Sequence, residues 1–192
     1  DLLKVATTSM MTKLVVEDAP ALAEIVVNAI QQVSELVDKE HKVDIDNVKV
    51  EKKPGGSLKD TQLISGVALD KEVVHSGMPK RVDDAKIALI NSPLEIEKTE
   101  FSAEIRINDP EQMQKFLDEE NNILKGMAEK VEQSGANVLV CQKGIDDIAQ
   151  HFLSRRGILA IRRVKESDMT KLAKATGGRV VTNLDALTSK DL

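Results

Sequence analysis

The stretch that decides the fold is ANVLVCQKGIDDIAQHFLSRRGILAIRRVKESDMTKLAKATGGRVV, residues 136–181. In this stretch, short apolar runs alternate with segments of helical periodicity. The predicted strands are 136–142, 158–164 and 179–181, and the predicted helices are 144–156 and a helix capped by Ser167 and ended by Gly177. Strands that alternate with helices indicate a parallel sheet with right-handed crossovers, and therefore an α/β fold.

A single long helix is predicted just before this stretch, over DPEQMQKFLDEENNILKGMAEKVEQSG, residues 109–135. Pro110 suits the first helical position, and Gly135 suits the end. One face carries the apolar residues Met113, Phe116, Leu117, Ile123, Leu124, Met127 and Val131. A helix of about 25 residues is roughly 37 Å long, whereas a domain of about 130 residues has a radius of gyration of about 14 Å.

Two interpretations of this length remain open. In the first, the leading half of the helix projects and leaves Met113, Phe116 and Leu117 under-buried, which calls for a partner. In the second, the helix crosses the core of its domain.

The remaining segments predict a mainly helical block, 1–64, followed by an α/β block, 65–192. In the first block we expect the end of a helix near the start of the chain, a helix from Asp18 to near Asp38, and a turn at 53–57. Further strands are predicted at 47–53, 63–69, 72–76, 86–96 and 101–107.

Composition excludes several classes of function. The net charge is −5 and Trp and Tyr are absent, which argues against a nucleic-acid surface. No apolar run approaches the roughly 18 residues of a membrane span. The single cysteine, Cys141, excludes an internal disulfide and favours a reducing cytoplasm. The chain starts within a helical pattern and without methionine, so we expect a piece of a longer protein.

Candidate catalytic groups are few. None of the three histidines has a partner that the sequence can assign, and the motifs HExxH, CxxC, GxGxxG and GxSxG are absent. We therefore expect neither a catalytic site nor a metal site. Cys141 lies within an apolar strand, which favours a buried thiol.

The helix at 144–156 is more informative. Its predicted buried face consists of Ile145, Ile148, Ala149, Phe152 and Leu153, so the outward residues are Asp147, Gln150, His151 and Ser154. This outward side is either an ordinary solvated face or a polar contact surface.

Several segments resemble the apical domain of group II chaperonins, the family of the archaeal thermosome and its eukaryotic cytosolic relatives. The resemblance is carried by CQKGIDDIAQHFLSRRGILAIRRVKESDMTKLAKATGGRVV, DAKIALINSPLEIEKTE, INDPEQMQKFLDEE and SGANVLVCQKGIDD. Upstream, KVEKKPGGSLKDTQLISGVALDKEVVHSGMPKRV resembles the junction between intermediate and apical domains. KVATTSMMTK and LAEIVVNAI resemble the first arm of the intermediate domain.

The resemblance implies a fold and a function. Residues 1–64 would be an intermediate-domain segment and 65–192 a substrate-binding apical domain, with a helical protrusion at about 101–125 that forms a built-in lid. Unfolded proteins and neighbouring subunits of a double ring would be the partners. Substrate-binding residues would be Asp147, Gln150, His151 and Ser154 on the helix at 144–156, and Met113, Phe116 and Leu117 on the protrusion.

The resemblance also implies that the full-length parent is a cytoplasmic, ATP- and magnesium-dependent chaperone in which Lys13 senses the nucleotide. The family's Gly-Asp-Gly-Thr phosphate loop is absent from this sequence, and so is the catalytic aspartate of the returning intermediate arm. We therefore expect this chain by itself to hydrolyse no ATP.

Two other classes of protein are open from the residues alone. One is a small-molecule α/β enzyme with its site at the strand ends. The other is a protein-interaction module that works without nucleotide.

Overall fold

The computed structural model describes residues 1–96 and 110–192, which form two compact units, Asp1–Ala68 and Leu69–Leu192. The division falls after Ala68, whereas the sequence pattern predicts it after residue 64. The strand predicted at 101–107 and the first part of the predicted protrusion, 101–109, lie outside the described residues.

The first unit contains two helices and a β-hairpin. Helix α1 is Leu2–Met10, helix α2 is Ala19–Gln32, and strands β1, Ser34–Val37, and β2, Glu40–Val43, pair antiparallel. The prediction that α2 continues to near Asp38 is wrong. Asp38 and Lys39 have φ angles of 53° and 69°. Positive φ at both central positions is typical of a two-residue hairpin turn, which the helical pattern obscured.

The strand predicted at 47–53 is also wrong. Ile45–Asn47 forms a 3-10 turn in which the Asp44 carboxylate accepts a hydrogen bond from the N–H of Asp46. No strand follows between 48 and 53, where Val50 is 76% exposed. Alternation of apolar and polar residues specifies a strand only where a neighbouring strand pairs with it. The turn predicted at 53–57 is present.

A parallel four-stranded sheet forms the centre of the second unit, as predicted. Its strands are β3, Ile87–Ile90, β4, Val138–Cys141, β5, Leu159–Ile161, and β6, Val180–Val181, in the order β5-β4-β3-β6. The helices are α3, Pro110–Gln133, α4, Asp147–Arg155, and α5, Glu166–Thr176. Strands β4 and β5 therefore lie on one side of β3, and β6 pairs with its other side.

The core lies where the sheet meets α3 and α4. Its largest fully buried side chains include Ile90, Leu139, Leu153 and Val131. The all-buried pattern of β4 agrees with a strand covered on both faces.

Three local predictions in this unit need correction. Residues 63–69 and 72–76 form no strand, although the N–H of Val74 donates a hydrogen bond to the Ala160 carbonyl at 3.0 Å. Ser167 does not cap α5, because Lys165 occupies the N-cap position. Gly177 ends α5 as predicted, with a φ of 77°. Among the described residues, no helix is long and apolar enough to cross a membrane.

Candidate functional site: an exposed helix half and the face of a neighbouring helix

Helix α3 is buried in its second half and exposed in its first. Leu124, Ala128 and Val131 are buried against the sheet. In contrast, Met113, Phe116 and Leu117 are 47%, 46% and 45% exposed. The interpretation that leaves these three side chains under-buried is therefore confirmed, and the core-crossing helix is wrong. Their role in binding stays a prediction.

Helix α4 begins with a side-chain cap and presents a mixed outer face. The Asp146 carboxylate accepts a hydrogen bond from the Ile148 N–H at 2.8 Å, which satisfies one of the free donors of the first turn. Asp147, Ile148 and His151 are exposed, and Ser154 is half-buried. Three of the four predicted outward residues therefore lie together on this side, and Ile148 adds an apolar element to it.

Gln150 and Ile148 occupy the opposite environments from those predicted. Gln150 is only 4% exposed, and its Nε2 donates to the Ile145 carbonyl at 2.7 Å and to Asp147 Oδ1 at 3.0 Å. Ile148 is 40% exposed. The helix begins at Asp147 rather than at residue 144, so Ile145 lies before it. The buried face therefore runs through Ala149, and Gln150 can enter it because local acceptors satisfy its amide.

The loop 75–78 packs on the outer face of α4. The His75 and His151 rings meet edge to face with centroids 6.2 Å apart. A Cβ added to Gly77 would lie 2.9 Å from Ser154 Oγ, so only glycine allows this close approach without a shift. Met78 anchors the loop, since it is 4% exposed and its Sδ accepts a hydrogen bond from the Ala160 N–H at 3.4 Å.

The position of His75 on this surface could not be predicted from the sequence. The turn signal Gly77-Met78-Pro79 marked the loop, but nothing local indicates that the turn lies against α4. Only the fold brings residues this far apart in sequence into one surface.

Arg156 joins the second half of α3 to the end of α4. Its side chain is 16% exposed and makes three hydrogen bonds, from Nε to Glu132 Oε2 at 2.7 Å, from Nη2 to Glu129 Oε1 at 3.0 Å and from Nη1 to the Phe152 carbonyl at 3.1 Å. The planar guanidinium suits such fixed, divergent acceptors. The buried half of α3, which continues into its exposed half, is thereby tied to the end of α4.

The segment that leads out of β3 is tied to the start of α4. The N–H of Leu94 donates to the Gly144 carbonyl at 3.0 Å, and the N–H of Asp146 donates to the Leu94 carbonyl at 2.9 Å. These bonds make a short parallel bridge between Leu94 and Ile145. The described chain before residue 97 is therefore held beside α4.

Lys13 lies in the first unit, in the exposed turn between α1 and α2. Its N–H donates to the Met10 carbonyl at 3.0 Å, and its nucleotide-sensing role stays a prediction. Among the described residues, no group of three His, Cys, Asp or Glu side chains could hold a metal ion. The dependence of the full-length parent on ATP and magnesium stays a prediction.

Cys141 is unsuited to nucleophilic chemistry. It is fully buried in β4, and burial raises the pKa of its thiol to about 11. At neutral pH the thiol is therefore protonated, whereas the thiolate is the reactive form.

Comparison with known proteins identifies the family. The model of the TCP-1/cpn60 chaperonin family matches residues 1–192. The chain belongs to this chaperonin family. It is 61% identical over 189 residues to the thermosome subunit beta of Sulfolobus acidocaldarius, and 59% identical over 189 residues to that of Thermococcus kodakarensis. Both alignments cover 98% of this chain, but 34% and 35% of the relatives. The chain thus spans about a third of their length.

A solved structure agrees with this assignment. The chain is 38% identical to an open-state monomer of a group II chaperonin from Methanococcoides burtonii, with a TM-score of 0.75. The match covers 99% of this chain and 41% of that monomer. The resemblance to group II chaperonins and the α/β fold class are therefore confirmed. The alternative of a small-molecule enzyme stays a prediction that no observation favours.

Proposed function

We propose that this chain is the substrate-binding and lid-forming part of an ATP-dependent, cytoplasmic chaperonin that captures unfolded proteins and encloses them for folding. Residues 1–64 would serve as an intermediate-domain segment and 65–192 as the apical domain, with a protrusion at about 101–125. ATP, magnesium and neighbouring subunits would act in the full-length parent, and Lys13 would sense the nucleotide there.

The observation that carries this proposal is the exposed apolar side of α3. Met113, Phe116 and Leu117 occupy adjacent turns of one helix face, and each keeps nearly half of its surface in water. Non-native polypeptides expose the apolar side chains that would cover such a face. The second half of the same helix is buried, so the binding face is held on a rigid support.

The outer face of α4 supplies a second surface of different character. Asp147, His151 and Ser154 combine with exposed Ile148 and with the His75 loop. A mixed polar and apolar surface can accept hydrogen bonds and apolar contacts from many sequences without burying a charge in a dry pocket. Gln150 would contribute only indirectly, by fixing the first turn of α4.

Suppression of aggregation tests the α3 surface. A chemically unfolded model protein is diluted into buffer that contains the chain without nucleotide, and aggregation is followed by light scattering. Burying the exposed parts of Phe116 and Leu117 contributes about 1 kcal/mol each, so replacing both by serine should weaken capture about 30-fold.

The matched control is the double variant Gln114→Ser and Asn122→Ser, which changes two exposed residues away from the apolar side of the same helix. The control should protect as the wild type does. Equal protection by the wild type and by the Phe116→Ser, Leu117→Ser variant would remove α3 from the binding surface. A chain that suppresses no aggregation at all would contradict the capture function itself.

An interaction module that works without nucleotide is the second candidate. The exposed apolar stripe on α3 favours it, because residues of α3 alone form that stripe and no bound nucleotide is needed to expose it. Adding ATP and magnesium to the same assay separates capture from ATP hydrolysis. We expect this chain to capture the unfolded protein without them and to release no phosphate when they are present.

A further inference from the structure

A carboxylate interrupts the exposed apolar side of α3. Glu120 follows Phe116 by four residues and Leu117 by three, and it precedes Ile123 by three, so all four side chains share one helix face. Glu120 is half-buried, whereas Phe116, Leu117 and Ile123 are 46%, 45% and 44% exposed. An acidic group therefore lies among apolar side chains at the boundary between the exposed and buried halves of α3.

Glu120 has no cationic partner within the described part of the chain, where it makes neither a hydrogen bond nor an ion pair. Its neighbours differ in this respect. Asp118 Oδ1 accepts a hydrogen bond from Gln114 Nε2 at 3.0 Å, and Glu129 accepts one from Arg156 at 3.0 Å. A carboxylate that loses water without gaining a partner is unfavourable. Any ligand that covers this face therefore has to offer the Glu120 carboxylate a hydrogen-bond donor or a cation in place of water.

The same helix half carries an excess of negative charge. Four carboxylates and one ammonium give residues 110–122 a formal charge of −3. By helical spacing, Glu119 borders the apolar stripe, whereas Glu111, Lys115 and Asp118 lie on the far side of the helix. The field around the stripe thus attracts cations and repels acidic segments.

We propose that this face of α3 binds segments of non-native polypeptide in which apolar residues flank a lysine or arginine. The apolar residues cover Phe116 and Leu117, and the cation pairs with Glu120. This inference rests on the proposed capture of unfolded protein and specifies its substrate class. An acidic apolar segment would bring like charges together as water is excluded, and it should bind less well.

The charges also disfavour two other occupants. A second copy of this chain, docked through the same face, would cover Glu120 with another face that carries a carboxylate and no cation. Nucleic acid would meet the same negative field. A basic and apolar segment is the ligand whose charge complements this surface.

Fluorescence anisotropy with two labelled peptides tests the proposal. The peptides share the same apolar residues, and the central pair of residues is lysine in one and glutamate in the other. We expect the wild-type chain at about 0.1 M salt to bind the lysine peptide about fivefold more tightly, as for one partly exposed ion pair. Glu120→Gln should abolish most of this preference, and Glu120→Lys should reverse it.

The control variant is Glu119→Gln, which removes one carboxylate from the same helix but outside the apolar stripe. It should change the preference less than twofold. Far-UV circular dichroism checks that every variant keeps its helix content. A Glu120→Gln chain that keeps the full preference for the lysine peptide would overturn the proposal.

Two further outcomes separate this inference from the proposed function. If both peptides bind equally, and if Phe116→Ser with Leu117→Ser weakens both, the apolar capture surface stands and the selection for basic segments is refuted. If neither peptide binds and the serine variants leave aggregation unchanged, both the inference and the capture function are refuted.

Discussion

Replacing Arg156 by methionine should destabilise the packing of α3 on α4 while keeping most of the apolar stem of the side chain. The guanidinium makes ion-paired hydrogen bonds to Glu129 and Glu132, whose side chains are 41% and 54% exposed. Because these carboxylates are screened by water, each pair contributes about 0.5 kcal/mol. The hydrogen bond to the Phe152 carbonyl contributes about 1 kcal/mol.

The expected loss for Arg156→Met is therefore about 2 kcal/mol in the free energy of unfolding. For a unit of this size, that corresponds to a fall in the midpoint of thermal unfolding of about 6–10 °C. Arg156→Lys keeps one charge and should lose about 1 kcal/mol. Far-UV circular dichroism is the suitable probe, because the chain contains no Trp or Tyr for intrinsic fluorescence.

Arg155 provides the matched control, since it is exposed and forms no ion pair within the described part of the chain. Arg155→Met should change stability by less than about 0.5 kcal/mol. A double-mutant cycle of Arg156→Met with Glu129→Gln should give a coupling energy of about 0.5 kcal/mol. The reasoning is refuted if Arg156→Met and Arg155→Met unfold at the same temperature.

Three further predictions concern separate parts of the chain. Cys141, whose pKa burial raises to about 11, should react with a thiol reagent at neutral pH only after denaturant unfolds the chain, and labelling of the folded chain would contradict its burial. Hydrogen bonds from the Thr188 side chain and N–H lower the pKa of Asp191 below its ordinary 3.8. The stability that the Asp191 carboxylate contributes is therefore fully present above pH 3.8, and it is lost as the pH falls through the lower pKa of the folded chain. The difference in urea midpoint between the wild type and Asp191→Asn should therefore be present at about pH 6 and shrink by about pH 3. Asn122→Pro, which costs about 3 kcal/mol in a helix interior, should remove hydrogen-exchange protection from the exposed half of α3 but not from its buried half, whereas Asn122→Ala should leave both protected.

The elements predicted well are those whose signal is local and repeated. The alternation of apolar strands and amphipathic helices after residue 135 predicts the parallel sheet, because a buried strand and a one-sided helix each have a distinct period. Helix α3 was predicted to within about two residues, since Pro110 and Gly135 mark its ends. The length of that helix raised two interpretations, and only the fold showed that Met113, Phe116 and Leu117 are under-buried.

The predictions that failed concern features without a distinctive sequence signal. The hairpin of β1 and β2 is specified by a two-residue turn at Asp38 and Lys39, without the glycine that usually signals it. The burial of Gln150 depends on a helix that starts three residues later than expected. The loop of His75 belongs to the α4 surface only because Met78 anchors it beside β5.

The exposed half of α3 illustrates why binding surface and stability can be separated in one helix. An isolated helix of about a dozen residues is marginal in water, because forming its first turn is costly. Here the first turn need not form alone, since the half from Leu124 onward is already buried. Glu, Gln, Lys, Leu and Met then extend the helix at little cost per residue. Phe116 and Leu117 are therefore displayed on a helix whose stability comes from other residues, as the proposed binding of apolar segments requires.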